Sequence, residues 1–247
     1  MKKMVVIVAI VLPFLIGVIF LGNCAEKKRL KEEYKVEENE KESIGEFPLL
    51  VSDDFEDGKS DRWITYPLEN WKVMQDGNEK VFALIEPGQQ REFRAPGAYV
   101  LLKDFDVTDF VFIGKIKSYQ DSQISSRDMV VIFHYQDPTH FYYVHFSKIS
   151  DQVHNIIAIV NGRDREKINH ELAGDSQARL VDNEFHTFKV CYERRTSGIC
   201  AYLDDMEEPI LTAIDSTLSH GLVGVGSFDD TGCVDDIVLW GKKFRYK

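Results

Sequence analysis

The stretch from Asp128 to Ser147, DMVVIFHYQDPTHFYYVHFS, holds the side chains of this chain best suited to recognition chemistry. His134 and His145 can donate or accept hydrogen bonds near neutral pH, and Tyr143 offers a flat ring with a hydroxyl handle. Arg127, just ahead of the stretch, adds a permanent cation. The surrounding residue types would bring the four together. Val130 to Phe133 are β-branched or aromatic, Gln136-Asp137-Pro138-Thr139 has turn chemistry, and Phe141 to Phe146 resumes the strand pattern, so the stretch reads as a β-hairpin. With Phe133, Tyr135, Tyr142, Val144 and Phe146 facing the core, alternation puts His134, Tyr143 and His145 on the opposite face. There they would form a row able to stack on pyranose rings and hydrogen-bond to hydroxyls, with Arg127 beside it. A one-residue slip in register would instead turn the set inward. Two histidines could also carry protons near neutral pH, but no nucleophile or metal motif accompanies them.

The chain has 247 residues and a formal net charge of −11. That balance excludes a nucleic-acid partner, which would require a concentrated basic face. From Leu49 onward the pattern is one of short alternating runs punctuated by Gly, Pro, Asn and Asp, with no segment of helical period. Runs such as Trp71–Met74, Val81–Ile85, Ala98–Leu102, Phe110–Lys117, Phe185–Tyr192 and Val234–Trp240 predict an all-β domain over 49–247, a two-sheet antiparallel sandwich. Trp71 and Trp240 read as packing residues, whereas Trp63 has the polar neighbours Asp61 and Arg62.

Met1-Lys2-Lys3 followed by the apolar run to Gly22 has the form of an export signal over 1–23. Leu21-Gly22-Asn23-Cys24 is similar to a lipobox, which makes Cys24 a lipidation candidate, although Asn23 departs from the pattern. An uncleaved signal anchor is the rival reading, because the run is long enough to span a bilayer. Both readings put the domain outside the cytoplasm, in the periplasm or at the cell surface, tethered to a membrane. Residues 24–48 are dense in Lys and Glu with few large apolar groups and read as a charged tether.

In an oxidising compartment Cys191 and Cys200 would pair, because they fall opposite each other in a hairpin about Arg194-Arg195-Thr196-Ser197. Cys233 is expected to be a single buried thiol.

The order of motifs also carries a resemblance. Asp53-Asp54-Phe55-Glu56-Asp57-Gly58, the segment from Trp71 to Gly77, Phe133-His134-Tyr135-Gln136-Asp137-Pro138, Gly221-Leu222-Val223-Gly224-Val225-Gly226 and Val234-Asp235-Asp236-Ile237 together resemble the concanavalin A-like lectin/glucanase superfamily. Within it they resemble the extracellular jelly-roll modules of laminin-G-like and 3-keto-disaccharide hydrolase type. The resemblance implies a jelly roll whose first and last strands are neighbours, and a structural calcium. Asp54, Glu56, Asp235 and Asp236 are the candidate ligands, set against a plain reading as solvated turn carboxylates. No cofactor is otherwise required. His134 stands where members of the group often carry Arg. The E-x-D-x-x-E triplet of the superfamily's retaining glucanases is absent. The run Asp204-Asp205-Met206-Glu207-Glu208 reads as a turn.

The function expected is therefore a tethered, non-catalytic module that binds a polysaccharide or cell-surface glycan. The alternatives are a glycan-active hydrolase or lyase of the same fold, and an adhesion lipoprotein that binds a protein.

Overall fold

A computed structural model describes residues 43–169 and 179–245. The export segment, Cys24 and all but the end of the tether lie outside the described residues. Among the described residues strand structure begins at Ser43, ahead of Leu49.

Among the described residues the chain forms two antiparallel sheets. The nine-stranded sheet contains β1 (Ser43–Ile44), β2 (Phe47–Asp53), β4 (Trp71–Asp76), β5 (Glu79–Leu84), β7 (Val107–Ser118), β12 (His186–Glu193), β13 (Gly198–Leu203), β14 (Leu211–Ile214) and β16 (Gly232–Lys243). The seven-stranded sheet runs in the order β11 (Glu166–Lys167), β10 (Ile156–Asn161), β9 (His140–Ser147), β8 (Asp128–Asp137), β15 (Leu222–Ser227), β6 (Ala98–Leu102) and β3 (Trp63–Tyr66). A 3-10 turn spans Leu68–Asn70. The last strand, β16, lies beside β2, the first long strand, close to the expected neighbouring of first and last, with the short β1 added outside β2.

Alternation decides which side chains enter the sandwich. In β6, Ala98, Val100 and Leu102 join the inter-sheet core while Tyr99 and Leu101 point to the outer face. In β9, Tyr142, Val144 and Phe146 point in, and Phe141 and Tyr143 point out. The inner layer is largely aromatic. Phe82 centres one knot, its ring 5.4 Å from both Phe55 and Trp71 and 6.0 Å from Trp63. Trp63 is buried and donates its indole N–H to Asp53 at 2.9 Å. Trp71 and Trp240 are buried too, as a packing role requires.

The outer face of the seven-stranded sheet is also apolar, with Tyr99, Leu101, Val130, Ile132, Phe141, Tyr143, Val160 and Phe228 in one cluster. Two glycines shape it. Val223 and Val225 of β15 point into the sandwich, so Gly224 and Gly226 fall on the outer side. A Cβ on Gly224 would sit 1.9 Å from the Val100 carbonyl. β15 therefore leaves a side-chain-free trough between β6 and β8.

Removing the Phe82 ring should open a cavity inside the aromatic knot. Phe82→Ala is expected to destabilise the chain by about 3–5 kcal/mol, while Ile64→Ala, on an exposed site, should cost less than about 1 kcal/mol. Urea unfolding of the two variants measures both.

Candidate functional site

The hairpin predicted over Asp128 to Ser147 is present as β8 and β9, with Asp137 closing the turn by accepting the Thr139 N–H at 2.7 Å. Its predicted ligand residues are placed otherwise. The ladder is irregular between Phe133 and Asp137, and His134 adopts φ +46°. This bulge moves His134 to the inner side, where it is fully buried. Its ring packs on Tyr192 at 4.3 Å and on Phe110 at 5.6 Å. Both ring nitrogens lie 2.9 Å from backbone carbonyls, those of Leu218 and Thr108, and burial holds its pKa below the usual histidine range. His134 is thus a strut of the sandwich, not a surface ligand. The same bulge turns Tyr135 outward, against the core assignment made for it.

Tyr143 and His145 do point to the outer face, as alternation demands, but neither is accessible, with 0% and 2% of their surface exposed. Phe228 covers them. Its ring stacks on His145 at 4.9 Å and meets Tyr143 edge-on at 5.5 Å. The Tyr143 hydroxyl is buried without a hydrogen-bond partner, and burial raises its pKa against the pull of Arg165. Arg127 is fully buried as well, donating to the Ser118 carbonyl at 3.0 Å, so it adds nothing to the outer face.

A buried carboxylate holds Phe228 in place. Asp128 accepts from the Ser227 hydroxyl at 2.5 Å, from the Phe228 N–H at 3.2 Å and from His145 Nε2 at 3.2 Å. On Phe228, in turn, rest the guanidinium groups of Arg165 and Arg94, 4.8 and 5.0 Å from the ring centroid. Arg94 also reaches Asp229 at 3.4 Å.

Beyond this covered end an aromatic row crosses the outer face, buried at Tyr99 and Phe141 and half exposed at Tyr66. Tyr66 of β3 stacks on Tyr99 of β6 with centroids 5.1 Å apart and planes 22° from parallel. Tyr99 continues across the glycine trough to Tyr135 at 5.6 Å, the two hydroxyls 3.1 Å apart, and Tyr135 stacks on Phe141 at 5.6 Å. Tyr99 is 2% exposed and Tyr66 is 47% exposed, so one face of Tyr66 rests on the row and the other meets solvent. The Arg91 guanidinium lies 6.0 Å from the Tyr99 centroid. A half-exposed ring backed by a buried one is a rigid surface for the apolar face of a sugar ring. Sequence reasoning missed Tyr66, Tyr99, Arg91, Arg94, Arg165 and Phe228. The alternate glycines of Leu222–Ser227 were the available signal for the trough.

A separate open groove of about 710 Å³ runs along the sandwich edge beside β2, lined by Leu49, Leu50, Asp57, Arg62, Lys103 and Phe105 among others. It mixes both signs of charge and carries no stacked rings.

The carboxylates proposed for calcium do not converge, and among the described residues no group of three or more acidic, His or Cys side chains is placed to hold a metal. Asp54 accepts the Glu56 N–H at 3.3 Å, Glu56 accepts the Lys80 N–H at 2.6 Å, and Asp236 pairs with Lys115 at 2.5 Å. Asp235 is buried at the bulge where the β16 edge passes from β5 to β2. Cys191 and Cys200 are directly opposite in register, as expected, yet they are free thiols rather than a bridge. Burial pushes the Cys191 thiol up to about 12. Cys233 is a buried free thiol, as expected. In the acidic run after β13, Asp205 caps the N–H groups of Glu207 and Glu208, the geometry of a turn.

Comparison with protein-family profiles and with curated proteins gives no match. Solved structures are similar. The carbohydrate-binding module CBM66 from Bacillus subtilis aligns with a TM-score of 0.51 at 17% identity, over 73% of this chain and 96% of its own. Peanut lectin aligns at 0.51 and 10% identity, over 79% and 99%. The seed lectin of Lotus tetragonolobus aligns at 0.50 and 12% identity, over 79% and 100%. The shared feature is the fold, the concanavalin A-like jelly roll that the motifs resemble.

Burial first, and repulsion from Asp236 second, raise the Asp235 pKa to about 7. A folded value above the unfolded one, about 4, means that the stability owed to neutral Asp235 is full below about pH 4 and is lost as pH rises through about 7. Asp235→Asn is therefore expected to flatten the fall in stability between pH 5 and pH 8, by on the order of 2 kcal/mol. Urea unfolding at the two pH values checks it, and an unchanged pH dependence in the variant would be the contrary result.

Proposed function

We propose that this chain is a non-catalytic carbohydrate-binding module, held outside the cytoplasm by its N-terminal segment, that receives glycan on the outer face of the seven-stranded sheet. The observation that carries the reading is Tyr66, about half exposed and stacked on the buried Tyr99. A ring clamped from below keeps little freedom to lose when a sugar settles on its open face, so the entropic cost of binding there is small. The missing side chains at Gly224 and Gly226 let the Tyr99 and Tyr135 rings meet across β15, which braces the ring beneath Tyr66. Fold likeness to CBM66 and to two seed lectins, proteins described as carbohydrate-binding or as lectins, supports the class of ligand.

The tethered, extracytoplasmic setting rests on the charged start and apolar run of 1–23, on Cys24 and on the charged composition of 24–48. A glycan target at a cell surface fits that setting. Against a hydrolytic role stands the missing E-x-D-x-x-E triplet, since retaining cleavage needs two carboxyl groups about 5–5.5 Å apart.

A glycan array with the full chain in detergent identifies ligands. Tyr66→Ala is expected to weaken binding to whichever glycan is captured by about tenfold or more, from the loss of stacked ring area, with the thermal midpoint nearly unchanged because Tyr66 lies outside the inter-sheet core. Full affinity in this variant would place the site elsewhere. Product release from a captured polysaccharide would contradict the non-catalytic reading.

A further inference from the structure

We infer that this face selects acidic glycans, polymers whose sugar rings bear a carboxylate or a sulfate ester. The inference rests on the binding reading above and deepens it. The chain carries a net charge of −11, yet three arginines gather on this one face. Arg94 is engaged with Asp229. Arg91 and Arg165 have no carboxylate within 4.0 Å among the described residues. Arg91 gives Nη2 to the Pro138 carbonyl at 2.5 Å, while its Nη1 is buried without a hydrogen-bond partner. Arg165 lies over the Phe228 ring.

The acidic neighbours are already engaged. Asp164 accepts the Arg94 N–H at 2.9 Å, Glu166 pairs with Arg163 at 2.6 Å, and Asp137 holds Thr139 and His140. They are tied to their own loops and do not pair with Arg91 or Arg165. A guanidinium held beside an aromatic ring is a fixed positive charge that attracts a carboxylate or a sulfate ester, and charge-assisted hydrogen bonds to such groups are stronger than those to neutral hydroxyls. Arg91 and Tyr66 both border the Tyr99 ring, so a pyranose on Tyr66 and an anionic substituent at Arg91 fall on neighbouring positions of one row.

The test uses the full chain in detergent and titration calorimetry against two polymer pairs: polygalacturonate with its methyl ester, and a sulfated galactan with its desulfated form. At least one anionic polymer is expected to bind about tenfold or more tightly than its neutral partner, with affinity falling as salt is raised. Preference for polygalacturonate alone assigns carboxylate, and preference for the sulfated galactan alone assigns sulfate. Arg91→Gln and Arg165→Gln should each reduce the preference several-fold, whereas Arg91→Lys should retain part of it and Arg195→Gln, in the distant β12–β13 turn, all of it. Thermal midpoints establish that each variant is folded, and the Arg165→Gln result stands if Arg91→Gln is not. Equal, Tyr66-dependent binding of charged and neutral forms would overturn the acidic preference and leave the binding reading intact. An acidic preference unchanged in folded Arg91 and Arg165 variants would overturn it as well. Glycan binding that ignores Tyr66→Ala would instead overturn the site itself.

Discussion

A carboxylate buried between strands must be fully satisfied or it unfolds what surrounds it, and Asp128 is such a group. It is 2% exposed at the start of β8 and takes hydrogen bonds from Ser227 and Phe228 at the end of β15 and from His145 of β9. Its own N–H goes to Asp230 at 2.8 Å. Leaving a buried charge without its partners costs about 3–5 kcal/mol, a large share of the stability of an ordinary domain. Three central strands of the seven-stranded sheet are thereby tied at one end. The bond to the Phe228 N–H does more than hold strands together, because it fixes the ring that seals Tyr143 and His145 and carries two guanidinium groups.

That one seal divides the outer face into two parts with different chemistry. Beneath Phe228 the histidine and tyrosine are structural, with His145 Nδ1 spent on the Val153 carbonyl at 2.8 Å. Beyond it, toward β3, the rings of Tyr66, Tyr99, Tyr135 and Phe141 run across the sheet with centroid spacings of 5.1 to 5.6 Å. The row crosses β15 because Gly224 and Gly226 have no side chain to interrupt it. Rigidity comes from the inter-sheet core below, and the half-exposed ring of Tyr66 is the part of the row that meets solvent.

Most of the architecture was legible because alternation is a local property. The strands, the hairpin at Asp137 and the register of Cys191 with Cys200 all follow from runs a few residues long, whereas the neighbouring of the first and last strands came from the resemblance alone. The site was legible only in part. Alternation correctly placed Tyr143 and His145 outward, but whether an outward residue is accessible depends on Phe228, which is far along the chain and was not seen as a cover. His134 failed for a different reason. A single left-handed residue in a bulge shifts the parity of everything after it, and the sequence His-Tyr-Gln-Asp-Pro gives no warning of which residue takes that conformation. The calcium set failed because adjacency of strands does not make side chains converge. Asp54, Glu56 and Asp236 each satisfy a nearby N–H or ammonium instead.

The central claim is that ligand occupies the aromatic row rather than the edge groove beside β2. A crystal structure of the protein grown with an oligogalacturonate tests this most directly. The account predicts a sugar ring stacked on the open face of Tyr66, with its carboxylate on Arg91 or Arg165 and the Asp128 bonds undisturbed. Ordered sugar in the groove lined by Leu49, Arg62 and Phe105, with the Tyr66 face bare, would contradict it.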